Sequence, residues 1–393
     1  MKKVLLVLLL LLSHALGKSW NCQIMPAEHK SELDPISGAK IIFVTTNPAN
    51  DMNLYFHDRC WLFDNEMMLF VSDRSKRQEI YGYLTKTGEI VRLNQEADVA
   101  AGAPLASKLG DRLYAVKEKA IFEWKLKLQQ TGKTNVTVEE RKICDFPAGT
   151  AQLSGLNENS DQTLISFGYK MGEDNYIAVA EIATGKQEVV AKVDFPIQHI
   201  QFHWNRPDVL SFARGYGNDT APLTEGEPAH ARIWFVNLHS KTPVPAFFQR
   251  PGELATHECW WVNDQITFIG GSNPEEAHLK ALDLKTGEIR IIGAGAWWEG
   301  ADAKEISKYN WWHGSGSPDG KWVAGDNWHG IIALFNAKTT VKRILTSGHR
   351  TYGKGGHPHV GWDLKGESVE FTSNKYGNTD VCIAVVPKEW TSR

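Results

Sequence analysis

Cysteine is scarce in this sequence, and the cysteines that occur are far apart. The chain has 5 cysteines among 393 residues and no Cys-x-x-Cys pair, which argues against a structural zinc knuckle. Because the number is odd, at least one thiol has no partner within the chain, and isolated buried thiols are the simplest expectation. The cysteines are Cys22, Cys60, Cys144, Cys259 and Cys382.

The chain also lacks a strong excess of charge of either sign. It has 43 lysines and arginines against 46 aspartates and glutamates, for a formal net charge of −3. No basic patch is present, so we expect no nucleic-acid partner. Nor does the sequence show a pair of acidic residues with a defined spacing, which disfavours a glycoside hydrolase, although carboxylates from separate segments could still meet.

Long hydrophobic runs are missing as well. The apolar run from Val4 to Leu12 is shorter than the roughly 20 residues that a membrane span requires. It follows Lys2 and Lys3 and precedes the small-residue stretch that ends at Gly17, an order typical of a secretory signal peptide. We therefore expect residues 1–17 to be a signal peptide and the mature chain to be exported, periplasmic or secreted, without a membrane span.

Tryptophan, in contrast, is abundant. The chain has 15 tryptophans, several of them in the doublets Trp260-Trp261, Trp297-Trp298 and Trp311-Trp312. Such doublets can belong to the core, but exposed indole faces around a cleft also stack well on sugar rings. Both interpretations remain open for each doublet.

A repeated hairpin pattern decides the fold class. A short apolar strand, an Asp- or Asn-containing turn and a second apolar strand recur seven times, for example in WLFDNEMMLFVSD, FHWNRPDVLSF and GSPDGKWVAGD. Most copies are followed by two further strands, so each unit has about four strands and about 50 residues, as in propeller blades. The sequence predicts an all-β chain with few helices, in which residues 18–393 form a single seven-bladed β-propeller domain.

The two ends of the chain predict how the ring closes. The last unit has only three strands after Pro358, ending with 380–386, while 41–46 is a spare strand at the front. Pairing these two strands would close the ring and remove exposed edges. The Gly-, Pro- and acid-rich segment 214–231 is expected to be a long insertion in the fourth blade, where it could line a site.

Histidines recur at the start of predicted innermost strands, where side chains face the central channel. Residues i and i+2 of a strand share a face, so His357 and His359 can aim at one point, and Pro358 stiffens the segment. With His313 from the adjacent blade they offer three imidazoles, which are common ligands of Mn, Zn, Fe or Ni. Each histidine alone is more often a hydrogen-bonded structural residue than a metal ligand. Recurrence and the His-x-His spacing favour a divalent metal site.

These stretches resemble the oligogalacturonate lyase family. The resemblance rests on Arg232 in HARIWFVN and on the HECWW, HGSGSPDGKWVAGD and HPH stretches, in that order and one per consecutive blade. Members of that family are seven-bladed propellers that cleave uronic-acid oligosaccharides by β-elimination with a manganese-type ion. The resemblance implies a polysaccharide lyase of the carbon–oxygen type, an acidic oligosaccharide or polysaccharide as substrate, and pectin degradation as its setting.

The resemblance also implies roles for individual residues. The metal, with manganese favoured, would be held by His313, His357 and His359. The family has a glutamine as a further ligand. This chain has Lys354 at that place, and a lysine cannot ligate while protonated. The catalytic residues would be Arg232 and His257. Residues expected to contact the substrate are Trp312, His199 and Lys354.

The chemistry of β-elimination fits these residue types. The C5 proton of a uronate is weakly acidic unless charge developing on the neighbouring carboxylate is stabilised, as a metal ion can do. A base must also reach C5, and histidine titrates in a suitable range. His257 can serve as that base, whereas Arg232 can be either the base or a carboxylate clamp.

Two alternatives remain. Propeller lyases acting on ulvan use a His/Tyr pair with an arginine that neutralises the uronate, and Tyr216 could be that tyrosine or an ordinary loop aromatic. The absence of histidines between His57 and His199 disfavours this alternative. The second alternative is a non-catalytic propeller that binds glycans or proteins, in which the histidines only pack along the axis or hold a structural metal.

Overall fold

Seven antiparallel sheets build the protein. The computed structural model describes residues 17–95, 101–215, 231–250, 252–272 and 276–391. The sheets form the blades of an all-β, seven-bladed propeller, which confirms the predicted fold class. Two helices of four residues each are the α-helices in the described ranges.

Four short strands precede the first blade, and each joins a sheet formed mainly by later residues. Strands β1 and β2 extend the outer edges of the second and first blades, while β3 and β4 belong to the seventh. The strands are β1 (Lys18–Asn21), β2 (Gln23–Met25), β3 (Lys30–Leu33) and β4 (Lys40–Phe43).

The first two blades are each enlarged by one of these strands. The first contains β5 (Asp51–Asn53), β6 (Trp61–Leu62), β7 (Met67–Ser72), β8 (Glu79–Leu84) and β9 (Ile90–Arg92), with β2 paired to β9. The second contains β10 (Ala101–Ala106), β11 (Arg112–Lys117), β12 (Ala120–Gln129) and β13 (Asn135–Asp145), with β1 paired to β13.

The next four blades are regular four-stranded meanders, each numbered outward from the channel. The third contains β14 (Gln152–Glu158), β15 (Leu164–Met171), β16 (Asp174–Glu181) and β17 (Gln187–Val193). The fourth contains β18 (Ile197–Phe202), β19 (Val209–Arg214), β20 (Ile233–Asn237) and β21 (Val244–Pro245). The fifth contains β22 (Leu254–Trp261), β23 (Gln265–Gly271), β24 (His278–Asp283) and β25 (Ile289–Gly293). Helix α1 (Ala303–Ile306) precedes the sixth, which contains β26 (His313–Gly316), β27 (Trp322–Asp326), β28 (Ile332–Asn336) and β29 (Lys342–Thr346).

The seventh blade joins the two ends of the chain. It contains β30 (Gly361–Trp362), β31 (Ser368–Ser373) and β32 (Asp380–Val385), and helix α2 (Lys388–Thr391) follows. Strand β32 pairs with β4 in the register Cys382–Phe43 and Ala384–Ile41. The predicted closure is therefore confirmed.

The outermost strand of each blade is less buried than the strands nearer the channel. In the sixth blade every residue of β26 and β27 is buried, whereas the first two residues of the outer strand β29 are exposed. Strands packed between neighbouring blades bury both faces and read as nearly continuous apolar or small-residue runs, while outer strands show more polar residues. This gradient is why the inner hairpins carry the clearest sequence signal.

The remaining predictions concern the cysteines, a membrane span, the signal peptide and the insertion in the fourth blade. The five cysteines are free thiols, and all but Cys22 are buried. No helix of the described residues has both the length and the apolar character to cross a bilayer. The predicted signal peptide, apart from Gly17, lies outside the described residues, as do positions 216–230 of the predicted insertion.

Candidate metal centre in the channel

Backbone irregularities in the innermost strands place two histidines at the channel. The pairing of β18 with β19 shifts between Gln198 and Gln201, and that of β22 with β23 shifts at the corresponding place in the fifth blade. The histidines within these bulges, His199 and His257, have φ values of 47° and 52°. A bulge redirects a side chain and bends the strand, so both imidazoles lie in the histidine cluster instead of following the pleat.

His359 is held between two neighbouring blades. It too has a positive φ, of 52°. Its backbone N–H donates to Asp326 Oδ2 at 2.8 Å, and its carbonyl accepts from Asn53 Nδ2 at 2.7 Å. The sixth and first blades therefore fix the backbone on both sides of this ring.

His313 is oriented by the same carboxylate. It is the first residue of β26 and lies directly opposite Asp326 of β27. Its Nδ1 lies 3.0 Å from both carboxylate oxygens, and its backbone N–H donates to Oδ1 at 3.1 Å. Burial raises the pKa of Asp326 to about 6, so the group is mainly ionised at neutral pH and accepts the Nδ1–H. This arrangement leaves Nε2 of His313 available, as in carboxylate–histidine–metal units.

The three predicted metal ligands converge. One nitrogen from each of His313, His357 and His359 lies within 4.8 Å of the other two. Burial is the largest cause that lowers the pKa of all three imidazoles, and it brings that of His359 to about 3. Neutral imidazoles present the lone pair that a divalent transition-metal ion requires. The donor set therefore fits such an ion.

Lys354 does not join this cluster. The residue is exposed, and its backbone N–H donates to Thr351 O at 3.0 Å. Its side chain has no hydrogen bond within the described ranges. The structure thus brings together three imidazoles, without a fourth protein ligand from the position where the resembling family has glutamine.

A buried charged network lies beside the three ligands. Glu258 is fully buried; its Oε1 accepts from His199 Nδ1 at 2.6 Å and its Oε2 lies 3.3 Å from Arg232 Nε. Burial raises the pKa of Glu258, but Arg232 and His199 outweigh it, and the pKa lies below its usual range. Arg232 also donates to Arg214 O at 2.7 Å. The arginine is therefore held rigidly by an anion.

His257 lies between this network and the metal ligands. Its ring centre is 4.4 Å from that of His313 and 5.0 Å from that of Trp312. Burial, then the neighbouring His313 and His199, lower the pKa of His257 well below its usual value. The imidazole is neutral, and its buried Nδ1 has no hydrogen-bond partner in the described part of the chain. The ordinary pKa assumed from sequence thus does not hold here.

Tyr55 is a central residue that the sequence reasoning missed. Its ring centre lies 4.7 Å from His359, 4.8 Å from His57, 5.3 Å from His199 and 5.9 Å from His313. Burial and the negative charge of Glu258 raise the pKa of Tyr55 above its usual value. The phenol is therefore neutral, and its hydroxyl makes no hydrogen bond to another described residue.

Sequence signals for the missed residues differ in strength. Asp326 faces His313 across a predicted hairpin, so register counting could have found it. Glu258 adjoins His257 in a strand that is otherwise apolar, which is a weaker signal. Tyr55 meets histidines of four blades, and no local pattern indicates that contact. Tyr216 lies outside the described residues.

The tryptophan doublets separate into different environments. Trp260 and Trp261 are 1% and 2% exposed and belong to the core. Trp311 is buried, and Trp312 is half-buried between His257 and Trp328. Trp297 and Trp298, in contrast, are 43% and 42% exposed on the connection that leads to His313. The core interpretation is therefore confirmed for Trp260-Trp261, whereas stacking of the exposed pair on sugar rings stays a prediction.

A separate cavity of about 620 Å³ lies further along the channel. Its lining includes His57, Cys259, Gly316 and Glu370 but none of the three predicted metal ligands. Because it contacts the later residues of the inner strands, it lies beyond the histidine cluster. The converging donors and the charged network place the candidate centre at the histidines and not in this cavity.

Comparison with known proteins supports the fold. The chain is similar to a solved oligogalacturonate lyase in complex with manganese, with a TM-score of 0.74, 17% identity and coverage of 95% of this chain and 98% of that one. An oligogalacturonate lyase from Vibrio parahaemolyticus gives the same TM-score and identity, with coverage of 96% and 100%. The tricorn protease is more distant, with a TM-score of 0.51, 12% identity and coverage of 84% and 34%.

Comparison of the sequence with known proteins identifies no family. No protein-family model matches the chain, and no curated protein matches it. The likeness to the solved lyases therefore establishes the propeller fold, and function has to be argued from the site.

Proposed function

We propose that the protein is a lyase that cleaves uronate-containing oligosaccharides by metal-assisted β-elimination, as an oligogalacturonate lyase does. The observation that carries the proposal is the convergence of His313, His357 and His359 beside a buried arginine at one end of the channel. The near-full-length structural likeness to a lyase that binds manganese supports it.

The three imidazoles would hold a divalent cation, manganese being favoured by the structural likeness. When bound, such a cation supplies Lewis-acid stabilisation of the negative charge that develops on a uronate carboxylate. Asp326 would keep His313 in the required tautomer and orientation through its hydrogen bond to Nδ1. The same carboxylate would fix the backbone at His359.

Arg232 would bind the substrate carboxylate, and His257 would act as the base. Arg232 is paired with Glu258, and a held guanidinium suits the binding of a substrate carboxylate better than proton abstraction. His257 is neutral, so it can accept the C5 proton. The C5–H electron pair forms the C4–C5 double bond, the C4–O bond breaks, and the leaving oxygen takes up a proton. His199 would act through Glu258, and Tyr55 offers a hydroxyl that no other described residue engages in a hydrogen bond.

A substrate panel tests the proposal. The protein, loaded with manganese, is incubated with oligogalacturonate, ulvan or glycosaminoglycan fragments, and the ultraviolet absorbance of the unsaturated uronate product is followed. We expect absorbance to rise with at least one polyuronate, to disappear with chelator and to return with metal. His313→Ala should abolish the signal, because it removes one ligand.

The matched control is His239→Ala, because the His239 side chain is 85% exposed and lies outside the cluster. This variant should keep full activity. No product from any polyuronate with metal-loaded protein would contradict the proposal and would leave a glycan- or protein-binding propeller as the better account.

A further inference from the structure

Arg350 is a buried cation that forms no salt bridge with a carboxylate among the described residues, although Asp326 acts on its charge from a greater distance. The residue is 8% exposed. Its Nη1 donates to the backbone oxygen of Trp328 at 3.2 Å, and the guanidinium lies 4.7 Å from the centre of the Trp328 ring. Its Nε is buried without a hydrogen-bond partner, and Nη2 has none either among the described residues. The outer edge of the fork, formed by Nε and Nη2, is therefore unused.

Arg232, the other buried arginine of the described residues, pairs with a carboxylate. Including Arg232, five arginines with side chains less than a quarter exposed each pair with a carboxylate within 3.3 Å. They are Arg59 with Glu158, Arg74 with Asp51, Arg92 with Glu79, Arg112 with Asp111 and Arg232 with Glu258. Removing a charge from water without pairing it is costly. The unpaired fork of Arg350 therefore indicates an anion that comes from outside the described chain.

Arg350 lies close to the candidate metal centre. A single indole separates it from the metal centre, since Trp328 also contacts the ring of His357 at 4.6 Å. Gly330, with φ of 67°, permits this arrangement, because a Cβ at that position would lie 2.2 Å from Arg350 N. Arg232 belongs to a different group of contacts, the network with His199 and Glu258. Two arginines thus lie near the candidate metal centre.

We propose that Arg350 binds the carboxylate of a sugar next to the uronate that is cleaved, and so determines specificity for substrates with an acidic neighbour. The role rests on the proposed function, since it assumes a uronate at the metal centre. A guanidinium fork matches a carboxylate through two parallel hydrogen bonds, which an ammonium group cannot reproduce. Trp328 would hold the fork in place by stacking.

The test compares Arg350→Gln and Arg350→Lys with the wild type on two substrates. One is a fully acidic oligogalacturonate, and the other carries methyl esters on the sugars next to the cleavage site. For Arg350→Gln we expect kcat/KM on the acidic substrate to fall about tenfold to hundredfold, the range for a hydrogen bond to a charged group. Activity on the esterified substrate should change little, and Arg350→Lys should be intermediate. Equal losses on both substrates, or no loss on either, would overturn the proposal.

The matched control is Arg343→Gln, because Arg343 also lies over an indole, that of Trp390 at 5.1 Å, but on an outer strand. It should leave the ratio of the two kcat/KM values unchanged. Thermal unfolding of each variant separates a folding defect from a change in specificity, and Arg350→Lys keeps the test usable if the glutamine variant unfolds.

The role of Arg350 can be tested even if the protein proves not to be a lyase. If the wild type cleaves none of the substrates, calorimetric binding of the acidic and esterified oligomers to metal-loaded protein still tests Arg350. Tighter binding of the acidic oligomer that Arg350→Gln abolishes would support the role. Equal binding by wild type and variant would overturn it, with Arg350 then serving only to pack against Trp328.

Discussion

Three of the clustered histidines have a backbone conformation that is unfavourable for residues other than glycine. His199, His257 and His359 have φ values between 47° and 52°, whereas the corresponding bulge of the third blade contains Gly155, with φ of 64°. Such residues persist only where the surrounding structure holds them, and they concentrate at functional sites. Placing imidazoles in this backbone conformation therefore costs stability that an ordinary packing role would not require.

Asp326 gives the sharpest residue-scale prediction for the metal centre. It accepts hydrogen bonds from the backbone and ring of His313 and from the backbone of His359. Asparagine has one acceptor oxygen and cannot satisfy all three donors. We expect Asp326→Asn to weaken manganese binding about tenfold to hundredfold, the usual effect of losing such a partner, as measured by calorimetry.

Asp319→Asn serves as the control, because Asp319 is an exposed residue in the turn of the same hairpin. This variant should bind manganese as the wild type does. An unchanged affinity in Asp326→Asn would show that His313 is oriented without the carboxylate.

At the scale of strands, much of the fold could be predicted because the inner hairpins repeat a local pattern. The predicted turn between Trp261 and Gln265, for example, connects β22 to β23. The outer strands β1, β2 and β3 were missed, since they are short and mostly exposed and pair with residues far along the chain. The same limit applied to the site: spacing indicated the histidines, whereas Tyr55 and Arg350 depend on contacts between blades.

Strand β1 contributes to stability through one side chain. Trp20 is 9% exposed, packs edge-on against Trp124 at 5.5 Å and donates from Nε1 to Leu93 O at 3.0 Å. We expect Trp20→Ala to lower the free energy of unfolding by about 3 to 5 kcal/mol, as for other buried aromatic truncations. Denaturant unfolding would measure the change.

Trp298→Ala is the comparison, since that indole is 42% exposed and should contribute little to stability. Equal effects of the two substitutions would show that β1 is not tied to the second blade as the structure indicates.

At the scale of the whole molecule, polar side chains reinforce the closure of the ring. Glu370 of the seventh blade accepts from Trp61 Nε1 at 3.1 Å and from Cys60 Sγ at 3.3 Å, both contributed by the first blade. Asn53 and Thr372 form a second link between the same blades, at 2.6 Å. The two blades are therefore connected by more than strand pairing.

Glu370 makes stability depend on pH. Burial raises its pKa from 4.5 to about 7, so the folded protein retains a proton that the unfolded chain releases. The contribution of this retained proton to the free energy of unfolding is fully present below about pH 4.5. It falls as the pH rises and is lost above about pH 7. Glu370→Gln mimics the protonated group, so its stability relative to the wild type should increase over this range by on the order of 3 kcal/mol.

Unfolding experiments on both proteins between pH 5 and pH 8 measure this difference. Comparison with the variant separates Glu370 from the buried histidines, whose lowered pKa values act in the opposite direction. A constant difference between the two proteins across that range would contradict the assignment.

The pairing of β4 with β32 has a consequence for biosynthesis. Strand β4 is synthesised early, but its partner β32 ends at Val385, so the ring of blades cannot close before residue 385 has been synthesised. During that interval an unpaired β-edge is available to other nascent chains, which is a hazard for aggregation.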